Sequence, residues 1–405
     1  MAFIRAADLD GGRVLFESAS RINPRARQRI TKGIGAPGDV LLSHKGTVGK
    51  IALVPGDAPP FVCSPQTTFW RTLDRNRLDR RFLYSFLRSP GFHEQLATRA
   101  GETDMAPYVS LTSQRGLSVS LPPIETQRAI GGTLGVLDDK IDLNRRMSET
   151  LEAIARALFK SWFVDFDPVR AKAEGRDPGL PKTIADLFPD SFEESELGEI
   201  PRGWRVEALG DCVDAERGLS YKGSGLRRSG MPMHNLNSIY EGGGYKDAGI
   251  KNYDGQYKPR HLARAGDVLV VNTEQGHDRL LIGHAAIVPA SFDGGSLFSH
   301  HLYRVRPKRG CALTTDYLCR LLNTSSVHDT VSGYANGTTV NMLPMHALQM
   351  PSVVIPLKAL VGAFTALAQN SRQQHECMIQ ESRTLVALRD GLLPGLVSGR
   401  LLGQP

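Results

Sequence analysis

The sequence predicts an α+β protein: two similar α+β domains joined by two long antiparallel coiled-coil helices, with an internal pseudo-two-fold relation. Three observations carry this. Strand-like motifs recur about 230 residues apart, each copy runs on into a long heptad-patterned segment, and basic charge falls in two blocks separated by neutral or acidic ones. With 405 residues the chain has room for two or three domains of about 100 to 200 residues each.

The first block, residues 1–124, alternates short β-type runs (FIRAADL, DVLLS, KIALVP) with turns and then gives an amphipathic helix, DRRFLYSFLRS. It holds 17 Lys and Arg against 10 Asp and Glu. A polar loop, Ser43-His44-Lys45-Gly46-Thr47, sits between two of its strands. These side chains can donate to and accept from base edges, and Lys45 and Lys50 can neutralise phosphates, so Ser43, His44, Lys45, Thr47 and Lys50 are candidate DNA contacts. A surface hairpin without function has the same composition. A second polar loop, containing Thr103, Asp104 and Tyr108, precedes the block's expected last strand, and these three join the candidates.

Residues 125–197 form a long helix and a linker. Ile130, Leu134, Leu137, Ile141, Asn144, Ser148, Leu151, Ala155, Leu158 and Trp162 follow each other by three or four, the spacing of a coiled-coil seam. The seam turns polar at Asn144 and Ser148, which weakens a coil but fixes its register. At its end Phe159, Trp162, Phe163 and Phe166 crowd into eight residues. Phe159, Phe163 and Phe166 fall off the seam and with Trp162 predict an exposed aromatic patch, a candidate docking surface for a partner subunit, with burial under the segment at 167–201 as the alternative. That segment, rich in Pro, Gly and charge, is expected to be a loop.

The second block, 198–357, repeats the first. The GDV triplets begin at 38 and 266, 228 residues apart, LVP at 53–55 answers IVP at 287–289, and LPP at 121–123 answers VIP at 354–356. Here 17 basic residues face 14 acidic ones. The loops equivalent to those of the first block supply Asn272, Thr273, Gln275, His277, Arg279, Thr338, Thr339 and Asn341 as candidate DNA contacts. Equivalent position with different sequence is what two loops reading different half-sites require. Residues 358–405 return the heptad pattern, with Leu360, Phe364, Leu367, Ser371, Gln374, Met378, Glu381, Leu385, Leu388 and Leu392 on its seam. Each helix is expected to be about 55 Å long, against about 34 Å for one turn of DNA.

Several function classes are disfavoured. GTVGK at 46–50 has His44 where a phosphate-binding loop needs glycine, and no Ser or Thr follows Lys50. APPF at 58–61 lacks the leading Asp or Asn of an adenine methyltransferase tetrapeptide, and Pro189-Asp190 lacks the Glu-x-Lys of a metal-dependent nuclease. His300 and His301 are adjacent and, in a strand, would point apart and make a poor metal pair. No catalytic residue and no metal site is assigned. Five scattered cysteines, none spaced as CxxC, argue for a reducing compartment, and the absence of an apolar span argues against a membrane, so a cytoplasmic location is expected.

Residues 121–175 (LPPIETQRAIGGTLGVLDDKIDLNRRMSETLEAIARALFKSWFVDFDPVRAKAEG) resemble the central conserved region of the specificity subunits of type I restriction–modification enzymes. LVALRDGLLPGLVSGRL at 385–401 resembles their distal conserved region. The resemblance implies two target-recognition domains that each read half of a bipartite site on double-stranded DNA, with the helices setting the gap. It implies two methyltransferase subunits and motor-nuclease subunits as partners. S-adenosylmethionine, ATP and Mg2+ would then belong to those partners, and the chain itself would bind no cofactor and be a non-catalytic subunit of an endonuclease and adenine-N6 methyltransferase complex. One departure stands out: Met1 aligns near Met231, about thirty residues into the second block, so the first recognition domain is expected to be truncated at its N-terminus. The alternatives are a remnant that acts only as an assembly scaffold without specific DNA recognition, and a free-standing methyltransferase or nuclease.

Overall fold

The computed structural model describes residues 1–100, 107–247, 249–276, 278–337 and 340–400. The chain divides into two compact units, residues 1–146 with 379–405, and residues 147–378. Each contains short antiparallel sheet, a capped amphipathic helix and one stretch of each long helix.

In unit 1 the apolar run of the DVLLS segment becomes the fully buried strand Val40–Ser43, which pairs antiparallel with Ile51–Leu53 on one side and Thr67–Trp70 on the other. A parallel pair, Ala2–Ile4 with Phe61–Cys63, and a hairpin, Leu9–Asp10 with Arg13–Val14, complete its sheet structure. The helix Arg80–Leu87 starts where Asp79 accepts the Arg81 and Phe82 amides, and it buries Phe82, Leu83, Phe86 and Leu87. Ile130 and Leu134 of the central helix Ile124–Phe163 and Leu393 of the distal helix Lys358–Val397 share that core. Gly131 shows why the central helix tolerates the sequence AIGGTLG, costly in a helix: a Cβ there would lie 2.8 Å from the Phe82 amide nitrogen. Glycine is what lets the two helices approach.

Unit 2 repeats the module. Its central strand Val268–Val271 is flanked antiparallel by Ala285–Ile287 and Leu302–Pro307, and the helix Thr315–Leu322, capped by Thr314, takes the place of Arg80–Leu87. The ion pair Arg71–Asp39 beside the GDV strand of unit 1 returns as Arg306–Asp267, at 2.7 and 2.6 Å. A fourth strand, Val213–Arg217, pairs with Leu302–Pro307, and Arg205–Ala208 pairs with Ser352–Ile355. Here the two copies part: the VIP segment is a strand, but LPP at 121–123 is not, contrary to the expected last strand of the first block. A strand needs a neighbour for its N–H and C=O groups, and no described strand of unit 1 corresponds to Arg205–Ala208.

The two long helices pair antiparallel in each unit. In unit 1, Asp138 meets Arg389 at 2.8 Å and Asn144 donates to Glu381 at 2.7 Å; in unit 2, Ser148 Oγ lies 3.8 Å from Met378 Sδ and the Phe159 and Phe364 rings lie 5.4 Å apart. As one number rises the other falls. The predicted seam of the central helix is buried or half-buried along its length, its polar positions included. That of the distal helix needs correction, because Leu367, Gln374 and Leu388 are exposed while Ala368, His375, Ser382 and Arg389 turn inward. The inward face lies one residue C-terminal to the pattern that the leucines mark.

The segment 167–201 is also corrected. It is not a structureless loop but two short helices, Asp167–Ala173 and Lys182–Ala185, and a hairpin, Phe192–Ser195 with Gly198–Pro201. Phe166 turns the chain into it with a left-handed φ of 56°. No described helix is long and apolar enough to cross a membrane.

Candidate nucleic-acid interface

The two polar loops of each block, far apart in sequence, are brought together in both units. In unit 1 Lys45 bridges antiparallel to Tyr108, with Gly46 donating to the Pro107 carbonyl and Val109 to that of His44, each at 2.9 Å. In unit 2 Thr273–Gln275 pairs with Val340–Met342, with Glu274 opposite Asn341. The loop pair is thus part of the repeat.

Within it the candidate residues divide into those that hold the loops and those that face water. Ser43 is fully buried, and its Oγ accepts the Lys50 amide at 2.8 Å. His44 is buried too: its Nδ1 lies 3.0 Å from the Val109 carbonyl, which can only accept, so that nitrogen carries the proton. Burial lowers its pKa, outweighing the opposing pull of that hydrogen bond, and favours the neutral ring. The Lys50 ammonium donates to the Leu9 carbonyl at 2.9 Å. Asn272 and Thr273 are buried in the same way, Asn272 Nδ2 donating to the His300 carbonyl at 3.0 Å and Thr273 Oγ1 lying 2.7 Å from His301 Nδ1. Ser43, His44, Asn272 and Thr273 are therefore buried and hydrogen-bonded inside their units and do not face water. Lys50 is half-buried and anchored.

Lys45, Thr47 and Tyr108 are exposed in unit 1, the Lys45 ammonium 5.9 Å from the centre of the Tyr108 ring. In unit 2 Gln275 and Arg279 are exposed, Arg279 with a left-handed φ of 52°, and half-buried Asn341 donates to the Gly276 carbonyl. Glu274, which sequence reasoning passed over, shapes this loop: its carboxylate accepts the Leu280, Leu281 and Ile282 amides at 3.0 to 3.2 Å. Val340 and Met342 are exposed beside it. So is Tyr240, with the Lys246 ammonium 5.6 Å from its ring, on a loop whose Gly242 donates to the Leu280 carbonyl at 3.2 Å. Cation and aromatic paired on a surface loop, here at Tyr240 and Lys246, was the available signal in the sequence. Thr103, Asp104, His277, Thr338 and Thr339 lie outside the described residues.

The aromatic docking patch is corrected outright. Phe159, Trp162, Phe163 and Phe166 are 2 to 9% exposed. Phe163 packs on Tyr317 at 4.9 Å and Phe364 at 5.4 Å, Trp162 on Phe188 at 5.3 Å, and Phe166 on Trp204 at 5.6 Å. Phe159, Phe163 and Phe166, off the seam, face the core of unit 2 together with Trp162, not water. The large apolar side chains that the central helix does expose are Val136 and Leu143 in unit 1 and Met147 and Ile154 in unit 2.

His300 and His301 are not splayed as strand neighbours; they lie in a turn with ring centres 3.9 Å apart. Burial lowers both pKa values. Among the described residues no group of three or more His, Cys, Asp or Glu could hold a metal. A cavity of about 380 Å³ in unit 1 is lined by Arg88, His93 and Arg389 among others, but both arginines are committed to Asp138, at 2.9 and 2.8 Å.

Comparison with known proteins agrees with this architecture. Residues 3–153 match the model of the type I restriction modification DNA specificity domain. The HindI type I restriction enzyme specificity subunit of Haemophilus influenzae is 30% identical over 255 residues, 52% of this chain and 54% of that one. The chain's match thus spans about half the length of that relative. The MjaIX specificity subunit of Methanocaldococcus jannaschii is 23% identical over 394 residues, 94% of this chain and 81% of that one. The crystal structure of a type I restriction–modification S subunit from M. genitalium, 14% identical, covers 90% of this chain and 84% of its own with a TM-score of 0.56, which shows a shared fold. A duplicated α+β module with one stretch of each long helix is the architecture of this chain. Residues 3–153 thus match the DNA specificity domain of type I restriction–modification enzymes, and the chain is similar to type I specificity subunits over most of its length.

Proposed function

We propose that this chain is the DNA-recognition subunit of a type I restriction–modification complex, each unit reading one half of a bipartite site through its loop pair. The observation that supports this best is the recurrence of the pair with different exposed side chains: Lys45, Thr47 and Tyr108 in one unit, Gln275 and Arg279 in the other. Equivalent scaffolds with unlike tips give two specificities from one fold. Gln275 and Arg279 have the donor and acceptor sets that pair with adenine and guanine edges in the major groove, while Lys45 and Lys246 suit phosphates. Val340 and Met342 offer apolar contact of the kind a thymine methyl accepts.

The chain performs no bond chemistry of its own in this reading. It lends position to methyltransferase subunits that flip and methylate adenine at N6, and to motor-nuclease subunits, and S-adenosylmethionine, ATP and Mg2+ belong to those partners. The exposed apolar side chains of the central helix, Val136 and Leu143 in unit 1 and Met147 and Ile154 in unit 2, take over the docking role first given to the buried aromatics. The test is binding of duplexes that carry both half-sites, either one, or neither, by the chain with its methyltransferase subunits. Full affinity only with both half-sites supports the reading; equal affinity for all four assigns the scaffold role instead.

A further inference from the structure

Both units contain the same connection between two strand pairings, and in both it is basic, with its Lys and Arg side chains in no ion pair with a described residue. In unit 1 it leads from Arg21, which bridges to Ala2, to Ile34, which bridges to Val62. In unit 2 it leads from Asn252, opposite Pro232, to Leu262, opposite Leu297. Arg21 and Asn252 are 231 apart in number, Ile34 and Leu262 228 apart, so the connection belongs to the repeat.

The unit 1 copy reads RINPRARQRITK from residue 21, five cations and no acid. All five are exposed. Asp39, the next acid along the chain, is already held by Arg71 at 2.7 Å, and none of the five forms an ion pair with a described residue. The segment is nonetheless ordered, for Pro24–Arg29 is a helical turn capped by Asn23, which accepts the Ala26 amide at 2.8 Å. It buries nothing. Like charges one turn apart, as at Arg25 and Arg29, destabilise a helix, so this element costs stability and returns none to the core. In unit 2 the connection holds exposed Lys258 and Arg260, with Arg264 just beyond it, none in an ion pair among the described residues; Asp254 is its one acid.

We propose that this repeated basic connection is a phosphate clamp, which grips the DNA backbone in each unit without reading bases and leaves sequence to the loop pair. It rests on the DNA-recognition reading above. Exposed cations without acidic partners are what counterion release on a polyanion exploits.

The test is the full chain carrying R25Q, R27Q and R29Q together, compared with wild type for binding to a duplex with the bipartite site and to an unrelated duplex across about 50 to 200 mM salt. The plot of log affinity against log salt should become shallower by about 2 to 3, since each phosphate contact contributes about 0.9. Affinity should fall by the same factor on both duplexes, and the triple Arg→Lys variant should keep the wild-type slope. An unchanged slope overturns the clamp. So does a loss confined to the specific duplex, which would make the segment a reader of bases, or a loss of partner-subunit assembly with DNA binding intact, which would give it to an acidic protein surface. Wild type that binds neither duplex would instead sink the DNA reading itself.

Discussion

Ser43, His44, Asn272 and Thr273 are polar and head loops in the sequence, yet all four are buried: Ser43 binds the Lys50 amide in its own hairpin, His44 the Val109 carbonyl across the loop pair, and Asn272 and Thr273 the turn at His300 and His301. Composition alone cannot separate such residues from Lys45, Tyr108 or Gln275, since the distinction depends on partners 7 to 65 residues away along the chain. The difference is measurable. S43A leaves the Lys50 amide without its partner and should cost about 1 to 3 kcal/mol in urea unfolding while leaving base preference intact. Y108A should do the reverse, keeping stability within about 0.5 kcal/mol and weakening the first half-site. His234 gives a pH dependence. It is fully buried, its ring nitrogens lie 2.8 Å from Ser296 Oγ and 3.1 Å from Tyr245 Oη, and burial pushes its pKa down to about 4. The unfolded chain then takes up the proton more readily, so this contribution is complete above the unfolded value near 6.5 and is lost as the pH falls towards 4. Between pH 7 and pH 5 the loss should be about 2 kcal/mol, and H234Q should remove most of it from the pH series.

The strands of the GDV segments and the helices Arg80–Leu87 and Thr315–Leu322 were legible because each is a short apolar run or amphipathic pattern closed by its own turn or cap. The central helix was legible for the same reason, down to Asn144 and Ser148 in its seam. In the distal helix the leucines misled: Leu367 and Leu388 are exposed, and the inward positions are small or polar, Ala368, Ser382 and Arg389. L367Q should therefore change the unfolding midpoint little, within about 0.5 kcal/mol, whereas A368Q should cost about 1 to 3 kcal/mol by overpacking. The aromatics of the central helix were found but assigned to the wrong side, since their cover comes from Phe188, Trp204, Tyr317 and Phe364, none of them local. F159A should cost about 3 to 5 kcal/mol, too much for a surface residue whose only task is docking. L143S, by contrast, should leave the fold intact and weaken assembly with the methyltransferase subunits in size-exclusion chromatography.

At the level of the whole chain, one module occurs twice and each copy is supplied with the same three parts: a buried strand, a loop pair and a basic connection. On the proposed function, duplication of the scaffold with divergence of the tips lets each unit contribute its own discrimination, the total being the sum of two modest ones. The most direct test is to map N6-methyladenine genome-wide in cells that express this chain with its methyltransferase subunits, once as wild type and once carrying Q275A. The account predicts a two-part motif in wild type and relaxed preference in one part only in the variant. A contiguous motif, a change in both parts at once, or methylation that does not depend on this chain would contradict it.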